Sequence, residues 1–215
     1  MLHYTTDALI LRTYKLGESD RIVVFLTRDR GKKRGVAKNA RQSRKRFGGA
    51  LEPMTVGRVR YCEREGRDLV RLDEVAAVRS PMSARDAGYE GLGYAGYFAE
   101  LIDECAPDND PNETLFRLGV SVIDALTTGV PVDALARYFE YWLLRLQGVY
   151  QADPRASVGA QAFLAAVRGS SPRGLARIAV PAAVLQELET SHRAKIAMHL
   201  EKDLRSVRVL REMRR

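Results

Sequence analysis

Ten lysines and arginines crowd the nineteen residues from Arg28 to Arg46, RDRGKKRGVAKNARQSRKR, and Asp29 is the only acid among them. The resulting net charge of +9 exceeds the +8 of the whole 215-residue chain. A solvated surface loop ordinarily mixes both signs, whereas a run of one sign repels itself until a polyanion relieves it. The chemistry suited to these residue types is therefore phosphate neutralisation. Its candidates are Lys32, Lys33, Arg34, Lys38, Arg41, Arg44, Lys45 and Arg46, and released counterions would supply much of the affinity. Phe47 closes the run, and Tyr14, Phe25 and Tyr61 lie on neighbouring stretches. Such rings can stack nucleic-acid bases or fill a core; the core is the expected place for Phe25, and Phe47 is open to either.

No catalytic constellation accompanies this run. GLGYAG at 91–96 fits GxGxxG, but that motif cradles a dinucleotide only between a strand and a helix N-terminus. Here a helical period runs straight through it, so Gly91, Gly93 and Gly96 are expected to let a neighbour approach closely. His192 and His199 share a helical face at a spacing of seven without a third ligand nearby, which is weak ground for a metal site. Asp73 and Glu74 point to opposite faces of a strand and cannot share a reacting atom. Cys62 and Cys105 are far apart and indicate neither disulfide nor zinc. The chain is expected to be no enzyme and to need no cofactor.

The elements that must carry the cations read as strands. TDALILRTY, RIVVFLT, KKRGVAK, MTVGRVRYCE and DLVRLDEVAAV are short apolar or alternating runs separated by turn-like KLGESD and RDRG. Five such strands with no helical period between them suggest a small closed barrel. Barrels of that size hold single strands in a positive groove with aromatic rings along it. At RSPMSARD the period changes, and from Ser83 to Ala106 apolar residues recur at three and four. A second helix runs through TLFRLGVSVIDALTTG, capped by Asn112 or Asp110. A third opens at Asp133 with Leu135, Phe139, Trp142, Leu143 and Leu146 on one face. A short helix at Gln161–Arg168 and a helical stretch from Pro181 to Met213 follow. The fold class is α+β, with a barrel over 1–80 followed by an all-α domain over 81–215. Charge divides in the same place: 19 Lys or Arg face 10 acids in residues 1–80, and 16 face 17 beyond.

An anionic membrane would attract the same charge. Gly31, Gly35, Gly48 and Gly49 interrupt the run, however, and it lacks an amphipathic face of Trp, Phe or Leu. No apolar stretch approaches a membrane span, and MLHYTTDALILRTYK is unlike a signal peptide. A cytoplasmic, nucleoid-associated protein without a membrane partner is expected.

The continuous stretch GESDRIVVFLTRDRGKKRGVAKNARQSRKRFGGALEP, residues 17–53, resembles the bacterial recombination mediator family RecO, as does HLEKDLRSVRVL near the C-terminus. The resemblance covers essentially the whole chain. It implies an N-terminal OB fold, a helical C-terminal domain, binding of single- and double-stranded DNA, and annealing of complementary strands. It also implies partners: RecR, in some bacteria RecF, RecA as the protein loaded, and the C-terminal tail of single-strand-binding protein. For that acidic, aromatic-ended tail, Arg137, Tyr141 and Arg145 on the third helix are candidates, spaced by four on one face; solvent-facing charges on a bundle helix are the competing reading. Two departures stand out. Asn39 replaces a glycine common after VAK, which a left-handed backbone tolerates. Where many relatives carry four cysteines as a zinc module, this chain has GVYQADPRASVGA, so zinc is not carried over. An RNA- or tRNA-binding OB protein and a DNA-processing nuclease are the rival readings; the nuclease would need a carboxylate cluster or metal site in the basic half, which has only scattered acids.

Overall fold

The computed structural model describes residues 1–83 and 88–214. The helical period expected from Ser83 runs through 84–87, which lie outside the described residues. Five strands, β1 (Leu2–Leu16), β2 (Asp20–Thr27), β3 (Gly31–Ala37), β4 (Val56–Glu63) and β5 (Val70–Arg79), form a closed barrel in the order β1-β2-β3-β5-β4. This order and its one parallel pairing, β3 with β5, make it the expected OB-type barrel. β1 is the longest strand because it pairs along its first half with β4 and along its second with β2. The register slips between Ile10 and Arg12, and such a bulge bends a strand so that it can turn from one partner to the next.

Alternation drives closure. Ala8, Ile10, Val23, Phe25, Ala37, Val59, Tyr61, Leu72 and Val75 point inward and form one apolar core. β3 meets β5 only through Gly35–Ala37, which leaves its first half with an open edge. The connection after the first helix covers that edge: Lys32 N–H donates to the Pro107 carbonyl (3.3 Å), and Asn109 N–H donates to that of Lys32 (3.0 Å). Gly31, at φ +69°, sits against the backbone of Asp110, where a Cβ would fall within 2.3 Å.

The helices are α1 (Gly88–Cys105), α2 (Glu113–Leu126), α3 (Val132–Leu146), α4 (Val158–Gly169), α5 (Ala182–Leu200) and α6 (Arg205–Met213). Of the two cap candidates, Asn112 caps α2, its Oδ1 accepting from Leu115 N–H. The stretch expected to be one helix from Pro181 to Met213 is two. Glu201 takes a left-handed φ of +52°, which ends α5 in the usual C-terminal fashion. Between α4 and α5 a 3-10 turn spans Pro172–Arg177.

Two compact units result. The first joins Met1–Ser83 to Ala95–Val120, and the second comprises Ala84–Tyr94 and Ser121–Arg215. The strands end at Arg79, and the barrel's unit also takes in parts of α1 and α2. Gly119 shows why: its missing Cβ would lie 2.7 Å from Leu9 and 3.0 Å from Ile102. In the second unit α3 is buried on most sides, with α5 packed along it. Gly93 meets Met213 and Leu210 closely, as expected of the GLGYAG run, whereas nothing lies within 4 Å of a Cβ at Gly96.

Candidate nucleic-acid interface

The basic run divides between two local structures. After Arg28 and Arg30 in the β2–β3 turn, Lys32, Lys33 and Arg34 stand on β3, and the rest follow in a chain of turns from Lys38 to Thr55. The turns are pinned at many points. Asn39, with φ +53°, donates its N–H to Asp20 Oδ1 (2.8 Å), and Arg41 N–H donates to the Ser19 carbonyl. Val75 N–H reaches the Arg46 carbonyl (2.9 Å), and Thr13 Oγ1 donates to that of Leu51 (2.8 Å).

Three apolar residues of these turns, Ala40, Phe47 and Ala50, enter the barrel core. Phe47 is 1% exposed, so its candidacy for stacking bases is corrected in favour of the core: burying such a ring gains about 1.5–3 kcal/mol, which an exposed stacking position would forfeit. Phe25 and Tyr61 are also buried in the core, and burial pushes the Tyr61 hydroxyl up from its usual pKa. Tyr14 alone of the four remains open, at 43% exposure.

The cations sort by their partners. Lys32 is 8% exposed; its Nζ donates to the Asp103 carbonyl (2.6 Å) and pairs with the carboxylates of Asp103 (3.4 Å) and Asp108 (3.5 Å). Lys33 pairs with Glu63 at 2.7 Å and its side chain is only 10% exposed. Both were expected at phosphates; both are instead spent inside the unit, because strand alternation drives Lys32 against α1 and Lys33 toward the barrel end. Arg34 is exposed, with Asp108 3.8 Å away. Lys38, Arg41, Arg44 and Lys45 are exposed. Arg41 donates to the Glu18 carbonyl (2.9 Å). Arg46 is half-buried, donating to Ser43 Oγ (2.9 Å) and the Lys38 carbonyl (2.8 Å) and lying over the Phe47 ring at 5.1 Å. Among the described residues no carboxylate lies within 4.0 Å of Lys38, Arg41, Arg44, Lys45 or Arg46. Six of the eight candidates thus stay at the surface: Arg34, on β3, has Asp108 at 3.8 Å, and the five from Lys38 to Arg46 are held by a backbone scaffold that leaves them, among the described residues, without a carboxylate partner.

One arginine that composition did not single out joins this surface. Arg12 pairs with Asp103 (3.2 Å) and Glu104 (3.8 Å) and donates to Tyr14 Oη (3.0 Å); burial works against its charge, but the bond to Tyr14 and the carboxylate of Asp103 hold its pKa above the usual value. The alternation of TDALILRTY carried the signal: Arg12 and Tyr14 share a face.

The trio proposed for a partner tail is not brought together at a surface. Arg137 is fully buried and pairs with Glu140 (2.7 Å) and Glu189 (3.0 Å). Tyr141 is fully buried too, its hydroxyl accepting from Arg168 Nε (3.0 Å). Only Arg145 is exposed, 5.9 Å from the Tyr141 ring. Spacing by four did put them on one side of α3, but there Arg137 meets Glu189 of α5 and Tyr141 meets Arg168 of α4 and the Tyr150 ring. His192 likewise is buried, with Nδ1 3.2 Å from Glu140, while His199 is exposed. Asp73 and Glu74 each pair with an arginine, Arg71 and Arg60. Among the described residues no three His, Cys, Asp or Glu side chains converge as metal ligands, and no helix is long and apolar enough to cross a membrane.

Residues 1–81 match the family model described as Recombination protein O N terminal, and 87–153 match Recombination protein O C terminal. A protein of Koribacter versatilis named DNA repair protein RecO is 46% identical over 143 residues, 66% of this chain and 58% of its own. A protein of the same name from Anaeromyxobacter sp. is 46% identical over 142 residues, 66% of this chain and 55% of its own. One from Geobacter metallireducens is 37% identical over 171 residues, covering 79% of this chain and 69% of its own. Against the first two, the chain spans little more than half of the relative's length.

Proposed function

Because the chain belongs to the recombination protein O family, whose similar members are named for DNA repair, we propose that it is a DNA-binding mediator of recombinational repair that works without catalysis. It binds single- and double-stranded DNA, anneals complementary strands, and acts with RecR, and in some settings RecF, to load RecA onto strands coated by single-strand-binding protein, whose C-terminal tail it contacts. Its place is the cytoplasm, on the nucleoid.

The observation that carries this reading is the cluster of cations from Lys38 to Arg46, four exposed and Arg46 half-buried, held on a pinned scaffold with no carboxylate among the described residues within 4.0 Å. Two DNA strands repel each other through their phosphates. Arg34, Lys38, Arg41, Arg44, Lys45 and Arg46 neutralise phosphates on one face, which lowers the repulsion that opposes pairing, and counterion release makes the contact favourable whatever the base sequence. Annealing of this kind needs neither a sequence code nor a reacting side chain.

The test replaces Arg41, Arg44, Lys45 and Arg46 together with Gln. On single strands each lost phosphate contact removes roughly 0.7 from the slope of log affinity against log salt, so the slope should flatten by about two to three units on every sequence. Fluorescence-monitored annealing of complementary oligonucleotides, bare and coated with single-strand-binding protein, should fall in step. A variant that keeps the parental slope would overturn the reading. Competition by a matched RNA strand as strong as by DNA would favour an RNA-binding role instead.

A further inference from the structure

The basic segment leaves β3 beside a sheet face of different chemistry. Across β1, β2 and β3, the register sets Arg12, Val24 and Arg34 in one row and Tyr14, Ile22 and Val36 in the next. The residues alternating with them on β2 and β3, Val23, Phe25 and Ala37, fill the barrel core, so these six look outward. Tyr14, Ile22, Val24 and Leu69, with Arg12 and Arg34, line a groove of about 350 Å³. Leu69, on the β4–β5 connection, is 41% exposed, an unusual place for leucine to be left beside an open tyrosine.

Each wall of the groove has a distinct character. Arg12 holds the Tyr14 ring by its hydroxyl and is itself anchored on Asp103 and Glu104. Asp103 also engages Lys32, so the acids here are tied up by buried or half-buried cations. Arg34 has only its 3.8 Å approach to Asp108 and is over half exposed. An apolar floor, one oriented aromatic ring and one available cation at the rim fit a nucleobase with its attached phosphate. A ligand of phosphate alone would make no use of the floor.

Continuity decides between nucleic acid and a protein partner. Val36, opposite Ile22, is two residues before Lys38. Asn39 and Arg41 then bond to Asp20, Ser19 and Glu18 of the β1–β2 turn, at the same end of the face as Tyr14, which pairs with Ile22 near that turn. A strand gripped by the cations of 38–46 therefore runs onto the tyrosine. We infer that this face is a stacking platform for single-stranded nucleic acid, with Tyr14 carrying one base and Arg34 the adjoining phosphate. The inference rests on the DNA-binding reading above and adds base contact to a phosphate grip.

The test uses the full chain with a fluorescent thymidine oligonucleotide and a strand of equal length made of abasic sites. The parent should prefer the base-bearing strand. Tyr14→Ala should weaken binding of that strand about 5- to 150-fold, the worth of one stacked base, leave the abasic strand unchanged, and keep the salt slope, since no charge is lost. Tyr14→Phe should bind as the parent does. Should Tyr14→Ala lower the thermal midpoint, Tyr14→Leu, which retains apolar bulk without the ring, carries the same expectation. A parent indifferent to bases, or a Tyr14→Ala variant that matches the parent on both strands or loses both equally, overturns the platform. The phosphate reading is judged separately, by the slope of the fourfold Gln variant.

Discussion

Lys32 and Lys45 differ by a pairing that no count of charges reveals. Lys32 lies inside the first unit against Asp103 and Asp108, and Lys45 is exposed, with no carboxylate among the described residues within 4.0 Å. Lys32→Gln should therefore act on stability. Removing one partner of a buried charged hydrogen bond costs about 1–3 kcal/mol, measured as a shift in urea midpoint, while the salt slope for DNA stays near the parental value. Lys45→Gln should do the reverse, with unchanged stability and a slope smaller by roughly 0.7. Phe47 belongs with Lys32. Phe47→Ala should cost about 3–5 kcal/mol through the cavity it leaves and should loosen DNA binding only because the turns around it lose their anchor. A Phe47→Leu variant that folds stably yet loses affinity while keeping its slope would instead return Phe47 to base stacking.

At the scale of elements, the turns from Lys38 to Thr55 do what neither strand nor helix could. A strand would have sent alternate cations into the barrel, as β3 does with Lys33. A series of turns sends Ala40, Phe47 and Ala50 inward and leaves the cations outside. β3 is equally exacting at its start. Gly31 combines a left-handed backbone with contact to Asp110 closer than any Cβ permits. Gly31→Ala should be destabilising by more than the roughly 1 kcal/mol of an ordinary left-handed alanine, because the 107–110 connection must also move. The amide of Asn109, bonded to the Lys32 carbonyl, should then exchange with solvent faster. Slow exchange at Asn109 in Gly31→Ala would show that the edge cover survives.

For the whole molecule, acid should test the second unit through Glu189. Burial pushes its pKa up, but Arg137, Arg214 and Arg193 outweigh that and hold the carboxyl below its usual value. A carboxylate with a depressed folded pKa contributes stability that is complete above the unfolded value of about 4.3 and is lost as pH falls through the folded one. The urea midpoint should fall below about pH 4.3, and Glu189→Gln should lower the midpoint at neutral pH and flatten that acid limb; an unchanged limb would assign it to other carboxylates.

The family, the barrel and the place of the basic segment were legible in the chain, because strand alternation, turn residues and charge density are local properties that survive without knowledge of partners. The break at Glu201 was missed since its signal is a backbone angle at a residue type that seldom adopts it. Exposure was not legible. Lys32 and Arg34, two residues apart with the same charge, part company because α1 brings Asp103 over one of them. Phe47 and Tyr14, both aromatic and both beside cations, separate because only one has a barrel to fill. Arg137 vanishes against Glu189 of α5, and Tyr141 against Arg168 of α4 and Tyr150. Charge and periodicity name the side chains able to meet a polyanion; which of them do so depends on carboxylates and apolar walls supplied from distant sequence, and those distances exist only in the folded chain.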